Sequence, residues 1–302
     1  MTENTLKPTF ESSLKALEIE NFFDRIFYRP IGFRIALLLR STGITPNMIT
    51  IISIFFGVAA GWLFFFDNIW INICGIALLM FANILDCVDG QLARLTGIKS
   101  AVGRILDGIA GDLWFVSIYV FLALRLSAET GNPGLAWTLA ALAGASNLVQ
   151  ANIGDYYKTL HLYFISLKRG EEFHSVENVR EHLAQMPKGF NRFLYHLYLY
   201  YTTLQTKITP QLQKLLSRLY ADFGEDFPTE IRQKLRAENL KIMPNINLLN
   251  FNWRSIILFI SLFAGQVWIY LLWEIIILNI VMIIGIWRHE KMCRNFIIYN
   301  QF

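Results

Sequence analysis

Apolar residues along this chain gather in long blocks rather than alternating with polar ones. Four blocks, near 48–66, 69–86, 105–124 and 135–154, come close to the roughly 20 residues an α-helix needs to cross a bilayer. A fifth, about 247–288, holds two helices only if a tight turn divides it, at Gly265-Gln266 or at Trp273-Glu274. The first position is favoured, because it leaves a full-length last helix from about Val267 to Trp287. The pattern predicts an all-α, polytopic membrane protein built as a six-helix transmembrane bundle.

The other segments complete a four-part organisation. Residues 1–44 form an N-terminal cytoplasmic and interfacial stretch. Within it, Phe22, Phe23, Ile26, Phe27, Ile31 and Phe33 interleave with Arg25, Arg29, Arg34 and Arg40. A basic amphipathic helix of this kind lies in the headgroup plane, and Pro30 is expected to bend or split it. Residues 45–154 form a four-span core that opens with Thr45 as N-cap and Pro46 in the first helical position. Residues 155–246 read as a cytoplasmic, interfacial helical insertion; its run Tyr195, Leu197, Tyr198, Leu199, Tyr200 and Tyr201 suits a membrane–water interface. Aromatics mixed with bases also mark single-stranded nucleic-acid binders, but the flanking spans favour lipid, so no nucleic-acid partner is expected. Residues 247–302 form a two-span C-terminal hairpin and tail.

Composition agrees: 54% of residues are hydrophobic and only 17% charged, against about 25% charged in soluble domains. The cysteines Cys74, Cys87 and Cys293 offer neither a disulfide framework nor a zinc-ligand spacing. Cys87 reads as a spacer facing a neighbouring helix. No signal-peptide pattern is expected in the first forty residues, which hold acids, Pro8 and Pro30. With a cytoplasmic N-terminus, Arg125 is the single exception among the 27 Lys and Arg residues to the positive-inside rule. Both termini and the loop between spans two and three are therefore expected on the cytoplasmic face.

That loop region carries the chemistry. Asp86-Cys87-Val88-Asp89-Gly90-Gln91-Leu92-Ala93-Arg94, followed by Gly103 and Asp107, reads D-x2-D-G-x2-A-R-x8-G-x3-D. A carboxylate costs on the order of 2.5–3.5 kcal/mol at mid-membrane, so acids retained beside two spans are expected to work. Asp86 and Asp89 project from one helix face, and Asp107 starts the return helix. Such a cluster repels itself unless a cation sits within it, and hard oxygen ligands select Mg2+ or Mn2+. Gly90 and Gly103 let backbone approach a ligand, and Arg94 offers a planar fork for phosphate. The competing reading is a structural ion-pair network neutralised by Arg94, Lys99 and Arg104.

The stretch resembles the signature of the CDP-alcohol phosphotransferase (CDP-alcohol phosphatidyltransferase) family of integral membrane enzymes, D-x2-D-G-x2-A-R-x8-G-x3-D-x3-D. The resemblance implies transfer of a substituted, phosphatidyl-type phosphate from CDP-diacylglycerol or another CDP-linked lipid donor to a small polar alcohol, releasing CMP. It implies metal ligands Asp86, Asp89 and Asp107, and a CDP site shaped by Gly90, Ala93, Arg94 and Gly103. The family opens its first span with a Pro-Asn pair, so Asn47 either lines the nucleotide site or merely begins a helix. The family's fourth aspartate takes the acceptor's proton, but its position here is Gly111, and the nearest acid is Asp112. A helix irregularity at Gly108 or Gly111 that returns Asp112 to the site is the favoured expectation. The others are proton removal by a different group, or a non-catalytic protein that binds CDP-lipid without turnover.

The acceptor is less legible. Asn147, Gln150 and Gly154 follow helical spacing and either face a hydroxyl-rich acceptor or bond between helices. Lys99 and Arg104 near the motif resemble members that use inositol or its phosphate. A cation transporter would carry acids near mid-bilayer in two halves rather than at one edge. Membrane lipids are expected partners, and a homodimer is left open.

Overall fold

In a computed structural model, described for residues 10, 13, 14, 16–98, 101–166, 175–224 and 227–299, every regular element among the described residues is helical. After a short 3-10 turn at Leu17–Ile19 and a π turn at Asp24–Tyr28 come α1 (Arg29–Leu39), α2 (Pro46–Leu63), α3 (Ile69–Thr96) and α4 (Ala101–Thr130). Then follow α5 (Pro133–Ile165), α6 (Val176–Gln185), α7 (Phe190–Ile208), α8 (Pro210–Phe223), α9 (Thr229–Leu240) and α10 (Met243–Asn247). The chain closes with α11 (Phe251–Phe263), α12 (Val267–Leu272), a π turn at Trp273–Ile277, and α13 (Leu278–Tyr299). Two compact units result: Met1–Gly144 with Phe259–Trp268, and Ala145–Leu258 with Ile269–Phe302.

Among the described residues, four helical stretches are long and apolar enough to cross a membrane: Pro46–Leu63, Ile69–Thr96, Ile105–Thr130 and Val267–Ile298. The other two expected spans, α5 and α11, fall short of that combination of length and apolarity. Helix α5 has the length, at 33 residues, but Ser146, Asn147, Gln150 and Asn152 interrupt its apolar run. Helix α11 is apolar but has 13 residues, about 20 Å of rise. The last apolar block does divide where favoured, with α11 ending at Phe263, Gly265 at φ 64° and α12 starting at Val267. The alternative position, Trp273-Glu274, lies in a π turn where the helix continues.

The first unit is closely packed because small residues sit where its helices cross. A Cβ on Gly57 would lie 2.1 Å from the Trp114 ring, and one on Gly61 would lie 2.4 Å from Ser117 Oγ and 2.9 Å from the Ile118 backbone nitrogen. Helices α2 and α4 therefore approach backbone to backbone, and Ser117 Oγ donates to the Val58 carbonyl at 3.0 Å. At the end of this unit away from the motif, buried Arg125 donates to the Phe66 carbonyl and pairs with Asp67 and Glu129. Arg125 is thus a clamp between the α2–α3 turn and α4.

Pro30 neither splits nor stops the N-terminal helix. It follows the π turn, in which the Arg29 N–H bonds to the Asp24 carbonyl. The wider turn accommodates a ring that lacks an N–H and crowds the preceding carbonyls. Tyr28, Gly32 and Ala36 face inward, while Phe22, Ile26 and Leu38 are exposed.

The second unit contains a buried ion pair, Arg254 with Glu274. Gln150 joins it, accepting from Arg254 Nη2 at 2.9 Å and donating to the Glu274 carbonyl at 3.0 Å and to Asn279 Oδ1 at 2.9 Å. Asn279 in turn donates to Ser146 Oγ at 2.9 Å. Gln150 and Ser146 therefore bond between helices, which answers one of the two readings of the α5 polar stripe.

The close α2–α4 crossing makes a direct forecast. Gly61→Ala should destabilise the protein by about 1–3 kcal/mol through overpacking. Gly108→Ala has nothing within 4 Å of the added carbon and should be neutral or stabilise by up to about 1 kcal/mol. Thermal unfolding of both variants in one detergent checks this; equal midpoints would contradict the packing.

Candidate active site

Helix α3 does not end at residue 86 as its apolar block suggests. It runs 28 residues to Thr96 and stops at Gly97, whose φ of 73° is the left-handed conformation glycine adopts readily. At about 42 Å it outreaches a bilayer core of about 30 Å. The stretch from Asp86 to Arg94 therefore occupies its last turns, and Gly103 and Asp107 sit in the first turns of α4.

Carboxylate oxygens of Asp86, Asp89 and Asp107 all lie within 4.8 Å of one another. Their exposures differ: Asp89 is buried, Asp86 half-buried and Asp107 exposed. Thr50 of α2 holds the buried one, its Oγ1 lying 2.6 Å from Asp89 Oδ2 and 3.1 Å from the Pro46 carbonyl. A hydroxyl has one proton, and the shorter contact assigns it to the carboxylate. Thr45 caps α2 by accepting from the Met48 N–H at 3.4 Å, as expected, and that start puts Thr50 opposite Asp89. Asn47 is half-buried, one turn before Thr50 on the same side of α2.

The N-terminal segment completes the surroundings of Arg94. Arg94 Nε donates to the Ser13 carbonyl. Its guanidinium lies over Gly90, where an added Cβ would meet the terminal nitrogens at 3.4 and 3.5 Å. Buried Gln91 donates to Ser13 Oγ at 3.2 Å and to the Arg29 carbonyl at 3.1 Å. Arg29 Nε is engaged by Glu20 at 3.2 Å while its charge acts on Asp86. Cys87 is the expected spacer: it packs where a Cβ on Gly32 would fall, 3.1 Å from its own Cβ. Outside the spans, burial and then Asp24 push the Tyr28 phenol up to about 12, so it stays neutral beside Asn83. Ala93 and Gly103 are half-buried. Lys99 and the Arg104 side chain lie outside the described residues.

Asp112 does not join the carboxylate cluster. The irregularity expected at Gly108 or Gly111 is absent: α4 is regular α-helix from Ala101 to Thr130. On such a helix residue 111 returns to the Asp107 side, while residue 112 points about 140° away. Gly111 instead presents open space, with nothing within 4 Å of an added Cβ.

Thr50, Gln91 and Arg29 are absent from the sequence-level site. A hydroxyl one turn inside an apolar helix is the signal that points to Thr50. No comparable signal marks Gln91, whose role depends on where Ser13 folds.

Three hard oxygen donors beside a guanidinium suit a divalent cation carrying a diphosphate. Comparison with known proteins agrees. Residues 43–160 match the model of the CDP-alcohol phosphatidyltransferase family. The chain is also 38% identical over 91 residues to the archaetidylinositol phosphate synthase of Pyrococcus horikoshii. That alignment covers 30% of this chain and 47% of the relative, so the chain spans about half the length of the curated relative it matches.

The Thr50 contact is testable by itself. Thr50→Val leaves a buried carboxylate without its donor, at about 1–3 kcal/mol, and Mn2+ affinity should fall roughly tenfold or more. Thr50→Ser should restore it. Mn2+ titration followed by electron paramagnetic resonance measures both, and an unchanged affinity in Thr50→Val would remove Thr50 from the site.

Proposed function

We propose that this protein is a metal-dependent CDP-alcohol phosphotransferase of the membrane. It moves a phosphatidyl-type phosphate from CDP-diacylglycerol or a similar CDP-linked lipid to an alcohol, releasing CMP. The observation that carries this reading is the meeting of Asp86, Asp89 and Asp107 within 4.8 Å, from two helices, at the family's spacing.

Asp86, Asp89 and Asp107 would hold Mg2+ or Mn2+; the bound ion would neutralise the diphosphate and stabilise departing CMP. Arg94 would grip phosphate oxygens with two parallel N–H donors. Gly90, Ala93 and Gly103 would leave room for the nucleotide, and Asn47 would border it from α2. Phosphoryl transfer depends chiefly on such positioning and charge stabilisation. The resemblance to an archaetidylinositol phosphate synthase supports an inositol-type acceptor, inositol or inositol phosphate.

The regular α4 favours proton removal by a group other than Asp112. Asp107, the exposed member of the cluster, is the carboxylate an incoming hydroxyl can reach. A second reading, CDP-lipid binding without turnover, draws on the same observation, glycine at position 111.

Six membrane crossings remain the proposal, with α5 and α11 as the shielded or shortened members. The segment 21–40 would lie at the interface, the 155–246 insertion and both termini in the cytoplasm, and the site at the cytoplasmic face. The exposed Phe22, Phe23, Ile26 and Phe27 beside Arg25 support that placement.

CMP release from CDP-diacylglycerol with Mg2+ and a panel of alcohols tests the proposal. Wild type should release CMP with an inositol-type acceptor, and Asp89→Asn should lose about 100-fold or more, the scale of one preorganised electrostatic contact. Absence of release with every acceptor, while CDP still binds, would leave only the binding reading. For the displaced acid, a regular helix predicts that Asp112→Asn keeps activity and that Gly111→Asp raises it. A dead Asp112→Asn that still binds Mn2+ and CDP would return Asp112 to the reaction.

A further inference from the structure

Near the end of α13, in the second unit, lies a cluster of different chemistry. Ligand atoms of His289, Glu290 and Cys293 all fall within 4.8 Å of one another. Cys293 Sγ is 3.6 Å from His289 Nδ1, one helical turn apart on the same face. A tetrahedral ion with Zn–N near 2.05 Å and Zn–S near 2.3 Å sets those ligands about 3.6 Å apart.

The surroundings are built rather than incidental. Glu290 accepts from the Gln211 and Leu212 N–H groups at the start of α8, at 2.6 and 3.2 Å, one on each oxygen. Each oxygen keeps a second lone pair, and the two bonds fix the carboxylate's direction. His289 and Cys293 are fully buried. The Tyr157 ring packs on the imidazole with centroids 4.4 Å apart. The Tyr157 hydroxyl there is buried without a hydrogen-bond partner, which native structures seldom tolerate without an ion or water nearby.

We propose that His289, Glu290 and Cys293 form a second metal site, for a borderline-soft divalent cation of the Zn2+ class, with Tyr157 at its open side. Charge supports the assignment. A divalent ion with one thiolate, one carboxylate and a neutral imidazole is net neutral, as a buried location requires. Binding converts the Cys293 thiol to a metal thiolate and releases its proton to solvent. Thiolate and imidazole exclude Mg2+, so the two sites take different ions. The site ties α13 to the start of α8 through Glu290 and is independent of the donor-site reading.

Co2+ titration of the detergent-purified, chelator-treated full chain tests this. A thiolate-to-cobalt charge-transfer band should appear, saturating near one ion per chain, displaced by Zn2+ and not by excess Mg2+. Cys293→Ser should abolish the band and weaken Co2+ binding at least tenfold. Cys74→Ser with Cys87→Ser, which leaves Cys293 as the sole thiol, should keep the band. No band in wild type, a band that survives Cys293→Ser, or its loss in the double variant would each overturn the proposal.

Discussion

Mutual repulsion of three carboxylates is the constraint around which the first unit is organised. At separations no greater than 4.8 Å, each ionised pair costs about 3.5 kcal/mol or more at an effective dielectric near 20. A fold that holds such a group must supply compensating contacts or bind a cation. Thr50 and Arg94 act on Asp89, and Arg29 on Asp86. None of these positions is independent of packing. Thr50 reaches Asp89 because α2 lies against α3, and Arg29 is placed by Gly32, which lets α1 approach Cys87 and Gln91. A glycine in one helix thereby helps set the electrostatics of another.

Those dependencies explain what can be read from residues alone. Asp86, Asp89 and Asp107 are legible because helical periodicity and a short connection leave them few alternatives. Thr45 and Gly265 are legible for a similar reason, since caps and turns are local chemistry. Gln91 is not: its partners lie 78 and 62 residues away, and nothing local predicts which chain segment will cover it. The helix irregularity expected beside Asp112 is the instructive error. Glycines at 108 and 111 suggest a distorted helix, yet α4 stays regular, because a glycine permits irregularity without causing it. Helix α5 is less legible for another reason, since two of the residues that lower its apolarity, Gln150 and Ser146, find their partners in Arg254, Asn279 and the Glu274 carbonyl, far along the chain.

The second unit handles buried polarity by another route. Arg254 and Glu274 are both out of water, where an unpaired charge would cost several kcal/mol. Gln150 and Asn279 extend the pair into a network across α5, α11 and α13. Glu274 sits in a π turn, so the widened backbone helps aim its carboxylate. Such networks restrict helices to one register, because a slip of one residue would strand the charges. His289, Glu290 and Cys293 lie further along the same α13, where sequence spacing by itself offers no familiar zinc pattern.

The central claim is that the three aspartates form one cation site through which a CDP group is held. Calorimetric titration of CDP into the purified protein, with and without Mn2+, tests it most directly. The account predicts that CDP binds with Mn2+ present and loses most of its affinity without it. Equal CDP affinity in the two conditions would contradict it.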